Sequence, residues 1–365
     1  FVVAIAGVIM YAMITDNSSY TSWESLEIYD NITNAQFVRT NDGYIAYNSD
    51  GAEKHLSDGS LAWNISFVLN DPMAAECGGY AIFAERGGQS VHVTDGSGSN
   101  HYFSVSERIE EVCISGQGIS AVRTNAGDSD QIYLYDLNGN LLLDLKTDVK
   151  KSGFPITMAL SQDGKKLITS YYEVGQENKG WLTFYNFGEV GQNYSDKIVG
   201  SFSYDENFVV DIRILNDSRV AVFYAKGCDL YKLREVPELL TSLTFEGGID
   251  AICDSGNGFA IAKTEMGGST AILRYDLNGK EISQINSSIG FDTISLENDE
   301  LIMTIDDSCV IYKKDGTEKI RTRFNDIVCL VYPNNGKAEY TVVGEKCTER
   351  IRLRTLKEDA AVTVE

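Results

Sequence analysis

Apolar and polar residues alternate in short runs along most of this chain, and a tight polar turn closes nearly every run. Tyr44-Ile-Ala-Tyr-Asn-Ser-Asp-Gly51, Tyr133-Leu-Tyr-Asp-Leu-Asn-Gly-Asn140, Leu273-Arg-Tyr-Asp-Leu-Asn-Gly-Lys280 and Val310-Ile-Tyr-Lys-Lys-Asp-Gly-Thr317 repeat one phrase: an apolar strand, an Asp- or Asn-Gly turn, then a second strand. Alternation with a period of two sends successive side chains to opposite faces of a strand. Asn-Gly and Asp-Gly accept the left-handed backbone of a tight turn, so the phrase predicts β-hairpins. The turns at Asp136, Asp276 and Asp315 stand 140 and 39 residues apart, with weaker copies in the long gap. A unit recurring every roughly 40–50 residues predicts a β-propeller with one blade per unit.

The units fall at about 34–67, 70–106, 109–147, 154–205, 208–246, 248–287, 290–324 and 326–355. In the first, Asp42-Gly43, Asp50-Gly51 and Asp58-Gly59 separate four strands. The eighth offers only three: Ile327-Val-Cys-Leu-Val331, Tyr340-Thr-Val-Val343 and Arg350-Ile-Arg-Leu-Arg354. An open ring would leave two sheet edges bare. Trp23-Glu-Ser-Leu-Glu-Ile-Tyr29 has the length to supply the missing outer strand. The expected fold is therefore all-β, an eight-bladed β-propeller closed by an N-terminal strand. A seven-bladed ring is the alternative, with the first and eighth units merged into one split blade and an irregular piece.

Ahead of the repeats, Phe1-Val-Val-Ala-Ile-Ala-Gly-Val-Ile-Met-Tyr-Ala-Met-Ile14 is uncharged and almost wholly apolar. As a helix it would span about 21 Å, short of the roughly 30 Å hydrocarbon core of a bilayer. The chain opens on Phe rather than Met, so the expected whole is a longer run with a basic stub. That reads as a single-pass signal-anchor; the apolar core of a cleaved signal peptide and a buried helix are the alternatives. The expected organisation is a truncated transmembrane anchor over 1–15, a spacer with the closing strand over 16–33, the propeller over 34–355 and a tail over 356–365. The propeller is expected on the extracytoplasmic side, facing the cell wall.

Hydrophobic residues make up 43% of the chain, enough for a packed core. The formal net charge of −22 speaks against nucleic-acid binding and against a polybasic patch on anionic lipid. Membrane contact is thus expected through the N-terminal helix only. The seven cysteines show no Cys-x-x-Cys pair and no zinc spacing. Cys77, Cys113, Cys253 and Cys329 recur in the opening strand of a blade, where the crowded axis favours small residues.

Asp58-Gly-Ser-Leu-Ala-Trp-Asn-Ile65 and Asp136-Leu-Asn-Gly-Asn-Leu141 resemble the hairpins of quinoprotein-like (PQQ-like) and YVTN/WD40-like propellers. An apolar anchor followed by an acidic, Tyr- and Asn-rich propeller resembles, in particular, uncharacterised membrane-anchored propeller proteins of Gram-positive gut bacteria. The likeness covers about residues 30–355 and implies the fold without an activity. Quinoprotein dehydrogenases carry an adjacent Cys-Cys disulfide, a Trp floor and a calcium ion. This chain has no Cys-Cys pair, and Trp23, Trp63 and Trp181 read as outer-strand packing residues. No cofactor is expected.

Asp136-x-Asn138-Gly139 and Asp276-x-Asn278-Gly279 match the first half of a calcium loop but lack its remaining ligands, so they read as turns. His92 and His101 fall on neighbouring strands of one hairpin and are expected to approach each other; with no third ligand they make no metal site. No nucleophile elbow or Ser/His/Asp order is present, and no catalytic residue is assigned.

The remaining candidate is the face where loops joining the second and third strands gather with the blade-to-blade connections. Glu85-Arg-Gly-Gly88, Asn125-Ala-Gly-Asp-Ser129, Glu173-Val-Gly-Gln-Glu-Asn-Lys179 and Glu265-Met-Gly-Gly268 are longer than hairpins need, and loops on a rigid scaffold are where binding usually lives. Arg86, Asp128, Glu173, Asn178 and Glu265 are the candidate binding residues. The expected function is non-catalytic binding or scaffolding of a protein, peptide or cell-wall glycan. The alternative is an extracytoplasmic polysaccharide hydrolase or lyase using carboxylates at the channel mouth.

Overall fold

The structure, a computed structural model, describes residues 20–127, 130–146, 153–173, 179–194, 196–205, 207–336 and 338–356. The apolar segment read as an anchor lies outside the described residues. Among those described, no helix is long and apolar enough to cross a membrane.

The described strands form eight antiparallel four-stranded sheets. Seven of them use consecutive strands, over 36–66, 72–104, 108–146, 154–203, 209–244, 251–287 and 293–323. These are blades 1 to 7. Blade 8 combines Val328–Pro333, Glu339–Gly344 and Cys347–Arg354 with Ser22–Asp30 from the start of the chain. The ring thus has eight blades, not seven.

Strand Ser22–Asp30 runs antiparallel to Cys347–Arg354, with Trp23 opposite Leu353 and Asp30 opposite Cys347. Its flanks bind both neighbouring blades. Trp23 Nε1 donates to Thr322 Oγ1 of blade 7 at 3.0 Å, and its ring lies 5.2 Å from that of Phe324. Asn31 Oδ1 accepts from Thr348 Oγ1 at 2.8 Å and from Tyr44 OH of blade 1 at 3.2 Å. A strand distant in sequence therefore closes the ring.

The core lies between blades. Met73, Ile82, Val91, Ile109 and Val122 join blades 2 and 3 in one buried cluster. Ile302, Ile311, Val331, Val342 and Ile351 do the same for blades 7 and 8. Each second strand is covered on both faces by its neighbours. That is why Gly43–Tyr47 is buried throughout and Val220-Ala-Val-Phe223 reads as an unbroken apolar run. Outer strands such as Leu61–Ser66 alternate between exposed and buried positions.

The turns between third and fourth strands lock the opposite end of the ring. Asp136 Oδ1 accepts the backbone N–H groups of Asn138 at 2.9 Å and Asn140 at 2.8 Å; Asp276 does the same for Asn278 and Lys280. These oxygens serve the backbone, as the turn reading expects. Gly139 has φ +79°, and a Cβ there would sit 2.6 Å from Cβ of Phe103 on the outer strand of blade 2. Gly98 meets Trp63 of blade 1 in the same way. The turn glycine thus serves the backbone and the packing of blade on blade.

Two expectations are corrected. His92 and His101 do sit on paired strands, but His101 opposes Val93 and His92 opposes Tyr102. The one-residue offset sends the two rings to opposite faces of the sheet. His92 packs instead against Phe67 and Tyr102. Trp181 belongs to the third strand of blade 4, Lys179–Asn186, where Trp181–Tyr185 pairs on both sides; it is not an outer-strand residue.

Candidate functional site

Strand direction alternates within each blade, so the loops between second and third strands share one end of the ring with the blade-to-blade connections. On this loop face Arg86 lies in the turn after Tyr80–Glu85, with its Nε 3.6 Å from Asp71 Oδ2. Glu173 ends the second strand of blade 4, opposite Lys179 in register. Glu265 opens the turn after Gly258–Thr264, 3.2 Å from Lys263 Nζ. Asp128 and Asn178 lie outside the described residues. The three described candidates share a face but not a site. They stand on blades 2, 4 and 6, and the partners of Arg86 and Glu265 are local.

The loop face also exposes apolar side chains. Val68, Phe154, Phe208, Val210, Met266 and Ile327 are all accessible there, Met266 completely. The edge of the Phe208 ring meets Tyr172, with centroids 4.8 Å apart.

Between blades 5 and 6 this face opens into a cavity of about 310 Å³. Val210, Asp211 and Arg213 come from the first strand of blade 5, Val209–Asn216; Tyr224 and Ala225 follow from the next hairpin. The connection to blade 6 contributes Ile249 and Asp250. A bulge between Val209 and Asp211 shifts the register at the rim. Arg213 Nε donates to Asp211 Oδ2 at 2.9 Å, and its Nη1 is 3.6 Å from Asp254 Oδ1 on the first strand of blade 6. Burial alone would lower the pKa of Arg213, but the charges of Asp211 and Asp254 outweigh it and raise it. Burial pushes the Asp254 carboxyl up, against the pull of Arg213. Asp250 Oδ2 accepts the backbone N–H of Thr264. Tyr224 donates to Asp229 at 3.3 Å.

Other first strands carry charges in the same manner. Glu111 accepts from Arg123 at 3.0 Å. Arg39 lies 3.4 Å from Glu297 and 3.9 Å over the Tyr332 ring. Burial raises the Glu297 carboxyl, with Arg39 opposing. The expectation of small residues at the axis thus holds only in part. Cys77, Cys113, Cys253 and Cys329 do lie on first strands as free thiols, with Cys253 buried. Charged residues share those strands with them. Among the described residues no group of His, Cys, Asp and Glu is placed to hold a metal ion.

The profile of a family of unknown function, DUF5711, matches residues 15–353, nearly the whole ring. The chain belongs to that family. No curated protein matches it. The fold itself is widespread, with 877 matching chains among solved structures, so the DUF5711 ring says little about activity by shape alone. One of them is the crystal structure of BamB from Moraxella catarrhalis, at 12% identity with a TM-score of 0.53, covering 91% of this chain and 100% of that one. At that identity the likeness concerns the fold only.

For this DUF5711 propeller, sequence reasoning found the loop face but missed the cavity. A signal was present: Val209-Val-Asp-Ile-Arg-Ile-Leu215 places Asp211 and Arg213 two apart on a blade-opening strand, where the fold favours small or apolar groups.

Proposed function

We propose that this protein is a non-catalytic binding or scaffolding propeller, held at the membrane by its N-terminal segment with the ring outside the cytoplasm, and that its loop face recognises a protein, peptide or cell-wall glycan. The exposed apolar groups on that face carry the reading, since six large apolar side chains open to water at one end of a ring offer contact area to a partner. The apolar run before an acidic domain supports the location. Crosslinking and pull-down from native membranes should return a reproducible partner. Protease added to intact, wall-stripped cells should degrade the ring, and full protection would overturn the location.

A polysaccharide hydrolase or lyase is the second reading. Asp211 and Asp254 both engage Arg213, which lines the loop-face cavity, and Asp254 is held above the usual carboxylate range. It ranks second because Arg213 sits between them. Glycoside hydrolysis asks for one protonated and one ionised carboxyl flanking the scissile bond, and a bridging guanidinium favours two ionised ones. Turnover of a wall glycan by the purified chain, abolished in D254N, would reverse the order.

A further inference from the structure

We propose that the cavity between blades 5 and 6 docks a basic segment of a partner protein, taking one Lys or Arg side chain between Asp211 and Asp250. This rests on the reading of the chain as a binding propeller and gives that reading a place and a partner chemistry.

The size of the cavity sets the scale of the guest. At about 310 Å³ it is at the lower end of small-molecule pockets, which run to about 1,000 Å³, so it suits one long side chain better than a cofactor. Its walls set the chemistry. Val210, Ala225, Ile249 and Ile252 offer an apolar lining for an aliphatic stem. Asp211 and Asp250 each use Oδ2 for the protein's own donors. Their Oδ1 atoms have no protein donor among the described residues. Arg213 does not invite an anion, because Asp211 and Asp254 already engage it. With Asp211 and Asp250 on its wall and Arg213 already engaged by Asp211 and Asp254, the cavity prefers a cation, and the formal net charge of −22 draws basic partners from a distance.

The surroundings indicate a protein segment rather than a free amine. Val210 is 48% exposed at the rim, Phe208 stands two residues before it, and Met266 is fully exposed in the blade 6 turn. A charged anchor ringed by apolar groups that exclude water is the usual anatomy of a protein–protein contact.

The test pans a random-peptide phage library against the immobilised chain, alongside two variants. D211N/D250N removes the charge while keeping the shape, and A225W fills the cavity while keeping the charge. Melting curves followed by circular dichroism confirm that both remain folded. Enriched peptides should share a Lys or Arg flanked by apolar residues. Their binding should fall at least about tenfold in each variant and weaken with added salt. Peptides without a basic residue, or peptides that bind the variants as well as the wild type, would overturn this inference and leave the binding-propeller reading standing. No enrichment on any of the three proteins would count against both.

Discussion

The two ends of this ring solve different problems with the same strands. At the turn end, Asp95, Asp136, Asp276 and Asp315 fold their carboxylates back onto their own backbone, and the following glycines press against the preceding blade. At the loop end, connections are longer, Arg86 and Glu265 pair with Asp71 and Lys263 beside their own blades, and Phe208, Val210 and Met266 face water. The turn carboxylates are bound to neighbours a few positions away. Residues available for recognition come from different blades and meet only when the ring closes.

The strongest way to break this contrast is to open the ring. Without 22–30, blade 8 loses its outer strand, and blades 1 and 7 lose Asn31 and Trp23 contacts that depend on its path. The melting temperature should fall by more than about 10 °C, or the cooperative transition should disappear, since several kcal/mol are lost and each is worth about 2–4 °C in a protein of this order. An unchanged melting curve would mean that the blades do not need closure.

The next test attacks the turn end. In G139A a side chain must adopt φ +79° and push against Phe103. Chemical denaturation should show a loss of about 2–3 kcal/mol, combining left-handed strain with a displaced aromatic ring. Alanine at Gly267, where φ is +98° and nothing lies within 4 Å, should cost less, because only the backbone term applies. Equal losses would remove the packing role assigned to the turn glycine.

Acid should separate the turns from the strands at the axis. Hydrogen bonds from Asn140 hold Asp136 below the usual carboxylate range; those from Ser97 and Thr317 do so for Asp95 and Asp315. A depressed folded value contributes stability above the unfolded pKa and loses it as pH falls through the folded one. Glu76, Asp254 and Glu297 are shifted the other way, chiefly by burial. Their contribution is complete below the unfolded pKa and is lost as pH rises through the elevated folded value. Melting temperature should therefore rise as pH is lowered from neutral towards the carboxyl range, then fall below about pH 4. E297Q should flatten the rising limb and D136N the falling one. A profile that D136N leaves untouched would show that the turn carboxylates do not matter to stability.

These contrasts also explain what was legible in the sequence. Asp136-Leu-Asn-Gly139 is a local code: the donors and acceptors of the turn lie within four residues, so the hairpin can be read without knowing the fold. The eight-blade count followed from the period and from the strand missing in 326–355. The histidine pair failed because register, not proximity in sequence, decides which face a side chain takes. The cavity was illegible because Asp211, on a blade 5 strand, and Asp250, on the connection to blade 6, are 39 residues apart. Only the charges at Asp211 and Arg213 on a blade-opening strand hinted at it.

The smallest effect on stability is expected at the loop end, where it matters most for function. Replacing Arg86, Asp128, Glu173, Asn178 and Glu265 together with Ala should leave the melting curve nearly unchanged, since substitutions away from the core rarely cost more than about 0.5 kcal/mol each. The Arg86–Asp71 ion pair, exposed on both sides, adds about 0–1 kcal/mol at most. The same variant should weaken a partner recovered from membranes, because Arg86, Glu173 and Glu265 stand on the loop face. Comparison with D211N/D250N then locates the interface. If the five-residue variant binds as the wild type does and D211N/D250N does not, recognition is confined to the cavity and the outer loops are spacers. If both bind fully, the interface lies away from the loop face, on the outer edges of the blades, and the division of labour between the two ends fails.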